Sequence, residues 1–240
     1  MREGAGWSIE ERTGAAAVLH RSWPAVAADP AGRAVAVCRV TGPAVVLGST
    51  QSPSVVDGVR AEAKGIEVAR RRSGGGAVLV MPGDPVWVDV WVPREDPLWN
   101  DDVGRAFDWL GDAWTAALTS LGARGVRAHR DGFAACTRWS SLVCFGGVGT
   151  GEVVTADGRK VVGISQRRTR AGAWFHSACL LRWDAGGLLE VLALSAEDRE
   201  SARLELADAV IGVVELVDAA GGPAVGPGSV VDALRASLPR

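Results

Sequence analysis

The stretch that most constrains this chain runs from Ile66 to Val92, IEVARRRSGGGAVLVMPGDPVWVDVWV. Ile66–Arg70 is short and β-branched, Ser73-Gly74-Gly75-Gly76 interrupts it, and Ala77–Val80 resumes an apolar run. Pro82-Gly83-Asp84-Pro85 turns the chain. Val86–Val92 then alternates, with Val86, Val88, Val90 and Val92 on one face and Trp87, Asp89 and Trp91 on the other. Such period-two alternation predicts a strand. The whole stretch reads strand, glycine loop, strand, turn, strand.

Glycine gives up more backbone freedom on folding than any other residue, so three in succession between strands call for a reason. They permit positive φ or a close approach of the backbone to a ligand, and they leave amides free to face an anion or a carbonyl. Arg70, Arg71 and Arg72 stand immediately before them. A plain hairpin loop with a solvated basic edge would account for the same residues. No Gly-Lys-Ser/Thr follows, so this is not a Walker loop, and no helix opens behind the glycines as a dinucleotide fingerprint requires.

The length of 240 residues suits one large domain, or a domain with a small appendage. At 48% hydrophobic and 22% charged the composition is ordinary for a globular protein. A net charge of −2 makes no electrostatic case for nucleic acid or a membrane surface as partner. No apolar run approaches the ~20 residues needed to cross a bilayer, and the opening MREGAGWSIEERTG has no apolar signal core. A cytoplasmic location is the expectation. Cys38, Cys136, Cys144 and Cys179 lie far apart with no CxxC pair, so neither a metal site nor a disulfide framework is expected. Lys and Arg together number 26, yet only Lys64 and Lys160 are lysines. A lysine that persists in so arginine-rich a chain is a candidate for a task that needs a compact ammonium.

In chain order, Ala15–Val18 predicts a helix running up to Pro24. Arg33–Arg39 and Ala44–Gly48 predict two strands around the Thr41-Gly42-Pro43 turn. Ser54 is a candidate N-cap for a helix to about Lys64, with Gly65 as its stop. A further helix after Asp101-Asp102 carries Phe107, Leu110, Trp114, Leu118 and Leu121 as one apolar stripe. Val126–Phe133 predicts a short strand and turn, and Ser140–Phe145 leads into the glycine-rich 146–151. Glu152–Thr155, the Ala156-Asp157-Gly158 turn and Arg159–Ser165 predict a hairpin, followed by a strand over Ala173–Trp183. Ser195 is a candidate cap for a helix to about Ala209. Val213–Val217 is short and apolar, Gly221–Gly228 is linker-like, and Ser229 is a candidate cap for a last helix.

Two motifs together carry a resemblance. Arg70-Arg71-x-Ser73-Gly74-Gly75-Gly76-Ala77-Val78 is followed, much later, by Gly158-Arg159-Lys160 and Gly163-Ile164-Ser165-Gln166-Arg167. In this the chain resembles the lipoate–protein ligase and octanoyltransferase family, which has the biotin/lipoate ligase catalytic fold. Leu47-Gly48 with Gln51 adds a weaker match, and the likeness spans roughly 34–217. The resemblance implies an α/β (α+β) fold of mixed, largely antiparallel sheets flanked by helices. It would form a catalytic domain over residues 1–220 with a short C-terminal helical tail at 221–240. It implies lipoate or octanoate held beside the glycine loop, with ATP and Mg²⁺ in a ligase, and transfer of the acyl group to a lysine. The acceptors would be lipoyl domains of 2-oxoacid dehydrogenases or the glycine cleavage H protein. Lys160 would be catalytic, placing its ammonium where negative charge grows on oxygen. Arg70, Arg71, Ser73, Gly74, Gly75, Gly76, Ala77, Gly163, Ser165, His176 and Asp84 would bind substrate.

The departures are specific. The family follows its glycine loop with an aromatic residue, His, Asp and then Asn. Leu79-Val80-Met81 and Gly83-Asp84 stand there instead, leaving Asp84 as the candidate to accept a bond or ligate Mg²⁺. His176 matches a His-Gly pair whose glycine is Ser177 here. Cys144-Phe145 resembles the cysteine-using octanoyltransferases, so a transferase passing octanoyl from acyl carrier protein or a lipoyl protein through Cys144 is the alternative to an acyl-adenylate. Little chain follows the core where typical ligases carry an accessory domain, which suggests a separate accessory chain or the adenylate-free route. A non-catalytic acyl- or lipoyl-domain-binding module is a third reading. Cys38, Cys136 and Cys179 read as structural.

Overall fold

The computed structural model describes residues 6–21 and 32–240. The first half of the chain contributes β1 (Ser8–Gly14), α1 (Ala16–Arg21), β2 (Ala34–Val40), β3 (Ala44–Leu47), α2 (Gly58–Ala63), β4 (Glu67–Arg70), β5 (Val78–Val80) and β6 (Val86–Pro93). After α3 (Asp108–Ser120) come β7 (Val126–Ala128), β8 (Ala134–Ala135), β9 (Gly147–Val148), β10 (Val153–Thr155), β11 (Lys160–Arg168) and β12 (Gly172–Cys179). Four helices end the chain: α4 (Ala185–Leu189), α5 (Ala196–Ala209), α6 (Val213–Ala219) and α7 (Pro227–Ser237).

Seven strands form one sheet in the order β1-β2-β6-β12-β11-β10-β7, and a smaller sheet runs β4-β3-β5. Among the described strand pairs, β1–β2 and β3–β4 are parallel and the others antiparallel. This is the expected α/β arrangement of mixed, largely antiparallel sheets. The alternation in β6 explains the layering. Val86, Val88 and Val90 pack on one side against Leu110, Trp114 and Leu118 of α3, all three fully buried, and against Val230 and Leu234 of α7. Trp87 faces the other way with Ala36 and Cys38, where Ala44, Val46 and Val80 of the small sheet cover it.

Several elements differ from the expectation for local physical reasons. β2 and β3 belong to different sheets, so the Thr41-Gly42-Pro43 turn carries the chain between layers. β4 and β5 flank β3 on opposite edges instead of pairing with each other. The cap of α2 is Asp57, whose carboxylate accepts from Arg60 N, while Ser52 caps a separate turn at Pro53–Val55. Gly65 stops α2 at φ +63°, as expected. A 3₁₀ turn occupies Arg105–Phe107 ahead of α3. β12 ends at Cys179 because the amides of Leu181 and Arg182 turn to the Asp84 carboxylate. Gly226 caps α7, its N–H donating to the Ser229 hydroxyl. β1, a polar edge strand, and α4, which contains two glycines, have no counterpart in the sequence pattern. The part of the first helix expected up to Pro24 lies outside the described residues.

Leu234, 1% exposed, places α7 in the same core as α3. Leu234→Ala should therefore lower the unfolding free energy by about 2–5 kcal/mol in urea denaturation. Leu204→Ala, at a position 56% exposed, should change it by no more than about 0.5 kcal/mol. A negligible loss at Leu234 would contradict the placement of α7.

Candidate active site

The glycine loop is shaped by backbone packing. A Cβ on Gly48 would fall 1.9 Å from the Gly75 carbonyl oxygen, and one on Gly76 would fall 2.6 Å from the Val143 carbonyl carbon. Gly75 itself sits at φ +98°. Ala77, fully buried, continues this contact: its N–H donates to Leu142 O at 2.7 Å and its carbonyl accepts from Cys144 N at 2.9 Å. The loop is thereby clipped to the 142–144 segment and fixes where Cys144 stands.

Two of the three arginines before the loop, Arg70 and Arg71, divide their work. Arg71 is buried and turns inward, donating to Val46 O, Gly74 O and Gly76 O, with Nη2 3.9 Å from Cys144 Sγ. Arg70 turns outward and uses Nη1 on the carbonyls of Gly48, Ser49 and Gln51. Ser73, buried, shares a 2.8 Å hydrogen bond with the Ser165 hydroxyl of β11. The exposed amides of Gly74 and Gly75 donate to nothing among the described residues.

Lys160 opens β11 and is 1% exposed. Its Nζ donates to Cys144 O at 3.0 Å and Gly147 O at 2.9 Å, and pairs with Glu152 Oε2 at 2.6 Å. All three ammonium protons therefore have partners. Glu152, 5% exposed, also accepts from Gly149 N at 2.7 Å and Ile164 N at 2.9 Å. Gly163 lies against the Lys160 side chain, and a Cβ there would make ordinary contact with Lys160 Cε at 3.4 Å.

On the neighbouring strands His176 Nδ1 meets Asp89 Oδ1 at 2.7 Å, and Trp87 Nε1 donates to the same oxygen at 2.5 Å. Burial would raise the Asp89 carboxyl, but His176, these hydrogen bonds and His20 outweigh it and hold the pKa below the ordinary value. His20 stacks on Trp87 at 4.2 Å and meets His176 edge-on at 5.7 Å. Burial first, and then His176, bring the His20 pKa down to about 3, so its ring is neutral near pH 7.

Between these groups lies a small cavity of about 50 Å³, partly open to solvent. Its walls are largely apolar, with Val46, Val78, Val80 and Ile164 among them, and Arg71, Cys144, Gly163, Ser165 and His176 also line it. The structure thus brings these five expected residues to one cavity. Ser73 and the glycine loop stand beside it, while Arg70 braces the loop from outside. Asp84 is elsewhere: both its oxygens accept backbone amides, and burial raises its pKa. No group of three His, Cys, Asp or Glu side chains among the described residues could hold a metal ion. Ser177 donates to Val88 O at 2.6 Å, a role that the family's glycine could not take. Glu152, Asp89, Trp87 and His20 were not expected at the site.

Residues 24–237 match the family model described as the lipoyl protein ligase A/B catalytic domain. The chain belongs to that family. It is accordingly an enzyme, a ligase or related transferase. Among solved structures it is similar to a bipartite lipoate protein ligase from Thermoplasma acidophilum described with its E2 lipoyl domain: 20% identity, TM-score 0.73, covering 97% of this chain and 82% of that one. A putative lipoate protein ligase from T. acidophilum with bound lipoic acid gives 20% identity and TM-score 0.67, over 98% and 84% of the two chains. A lipoate-protein ligase A bound with ATP gives 21%, 0.67, and the same coverage. At these identities the likeness establishes the fold. No curated protein matches the chain. Among the described residues no helix is long and apolar enough to cross a membrane.

In this lipoyl ligase domain the Lys160–Glu152 pair is a buried ion pair with every hydrogen bond made, so removing one partner strands the other charge. Lys160→Met should cost about 3–5 kcal/mol of stability in urea denaturation, and adding Glu152→Gln should recover most of it. Simple addition of the two losses would contradict the pairing.

Proposed function

We propose that this enzyme attaches a lipoyl or octanoyl group to a lysine of a lipoyl domain, with ATP activating the acyl group as an adenylate. The reading is carried by the largely apolar cavity that opens beside two unpaired glycine-loop amides and the Arg71 guanidinium. A largely apolar lining with a few polar groups suits an acyl chain. The acyl carboxylate attacks the α-phosphorus of ATP and pyrophosphate leaves; the acceptor amine then attacks the carbonyl carbon and AMP leaves. Negative charge develops on oxygen in both steps, and free amides and fixed cations are the groups that stabilise it. Lys160 contributes its ammonium by exchanging a loop carbonyl for the acyl oxygen. ATP would bring Mg²⁺ with it. Relatives with bound lipoic acid and with ATP support the substrates, and the bipartite ligase described with its E2 lipoyl domain supports the acceptor and a separate accessory chain. Lipoyl domains of 2-oxoacid dehydrogenases or the glycine cleavage H protein are the proposed acceptors, in the cytoplasm.

A second reading rests on Cys144, whose side chain lines the cavity with a guanidinium nitrogen 3.9 Å from its sulfur. That cation would balance a thiolate's charge. The sulfur would attack the thioester of octanoyl-acyl carrier protein, the carrier thiol would leave, and the acceptor lysine would then take the octanoyl group.

Mass spectrometry separates the two. With lipoate, ATP and Mg²⁺ the chain should form lipoyl-adenylate. Cys144→Ser should retain the activity, and the Lys160→Met/Glu152→Gln variant should form adenylate about a hundredfold more slowly. A hydroxylamine-sensitive octanoyl adduct from octanoyl-acyl carrier protein, absent in Cys144→Ser, would replace the ligase reading with the transferase one. Neither species forming, with and without a lipoyl domain present, would count against both.

A further inference from the structure

The wall of the cavity formed by the large sheet is not uniformly apolar. Ser165, His176 and Asp89 stand side by side across β11, β12 and β6, and Gly163, Ala178 and Trp87 occupy the next level along the same strands. Cys144 and Lys160 meet near Gly163, at the β11 edge of the cavity. Trp87 with His20 stacked on it marks the opposite, β6 side. An acyl chain with its carboxyl end at the glycine loop and Cys144 therefore runs across β12 toward His176, Trp87 and His20.

That far wall has unmet hydrogen-bonding capacity. An ionised carboxylate only accepts, so His176 Nδ1 carries the proton shared with Asp89 and Nε2 is left to face the cavity. Nε2 makes no hydrogen bond with any described residue, and His20 Nδ1 is buried with no partner among them. A terminal methyl placed there would leave both nitrogens dry and unpaired, whereas a hydroxyl can donate to one imidazole nitrogen and accept from another. A terminal carboxylate would be driven toward the buried Asp89, where like charges repel.

We propose that the His176–His20 wall selects acyl chains whose far end carries a neutral hydrogen-bonding group, a hydroxyl, over plain saturated chains. This inference rests on the acyl-cavity reading above and specifies its substrate class. The size of the discrimination follows from the asymmetry of polar sites: leaving buried donors or acceptors unpaired is penalised more than a matching hydroxyl is rewarded.

Isothermal titration calorimetry on the full chain tests it with octanoate, 8-hydroxyoctanoate and suberate. Wild-type protein should bind 8-hydroxyoctanoate about tenfold more tightly than octanoate, as one unpaired buried polar group implies, and suberate most weakly. In His176→Phe the preference should vanish. His20→Phe, which keeps the Asp89–His176 pair, should reduce it and serves if His176→Phe does not fold. Saturable binding of octanoate as tight as that of the hydroxy acid would overturn the inference while leaving the acyl cavity standing. No binding of any of the three acids would overturn the acyl cavity and this inference with it.

Discussion

The site depends on one carboxylate. Glu152 takes hydrogen bonds from Lys160 Nζ, Gly149 N and Ile164 N at once, which ties the glycine-rich 146–151 segment to β11. Lys160 then extends the tie to the carbonyls of Cys144 and Gly147. Taking two charges out of water costs more than their attraction returns unless every remaining donor and acceptor is met. Here they are met, and the result is a segment with one defined path past the cavity. Cys144 stands where it does because this pair fixes its carbonyl from one side.

The glycine loop fixes it from the other. Gly48 and Gly76 have no room for a side chain because the loop carbonyl and the 142–144 backbone occupy that space. Close backbone contact, the Ala77–Val143 bridge and the inward Arg71 form one rigid wall. The Gly74 and Gly75 amides are exposed beside the Arg71 and Cys144 wall of the cavity, and the two histidines line it.

Much of this was legible in the sequence. Alternation in 86–92, the Leu110-Trp114-Leu118 stripe and the Ser195 cap correspond to β6, the buried face of α3 and the start of α5. The rarity of lysine pointed to Lys160, and three diverging donors with three partners is a geometry that a planar guanidinium does not reproduce. Other features were hidden for physical reasons. Arg70 and Arg71 look alike in a string, and only the path of the chain at the end of β4 sends Arg71 inward. Asp89 shares a strand face with Trp87 and Trp91, and nothing in period two says that this face meets a second sheet. Glu152 looks like an ordinary strand charge until the bulge between β10 and β11 brings Lys160 to it. β1 is too polar, and α4 too glycine-rich, to stand out by pattern.

The central claim is that the acyl carboxyl end lies at the free amides of the glycine loop. An NMR titration of ¹⁵N-labelled protein with lipoate tests it directly. The account predicts that the Gly74 and Gly75 amide resonances shift and saturate with the ligand, together with the side-chain signals of His176. Saturable binding that leaves both glycine amides unmoved, with shifts confined to another face of the molecule, would contradict it.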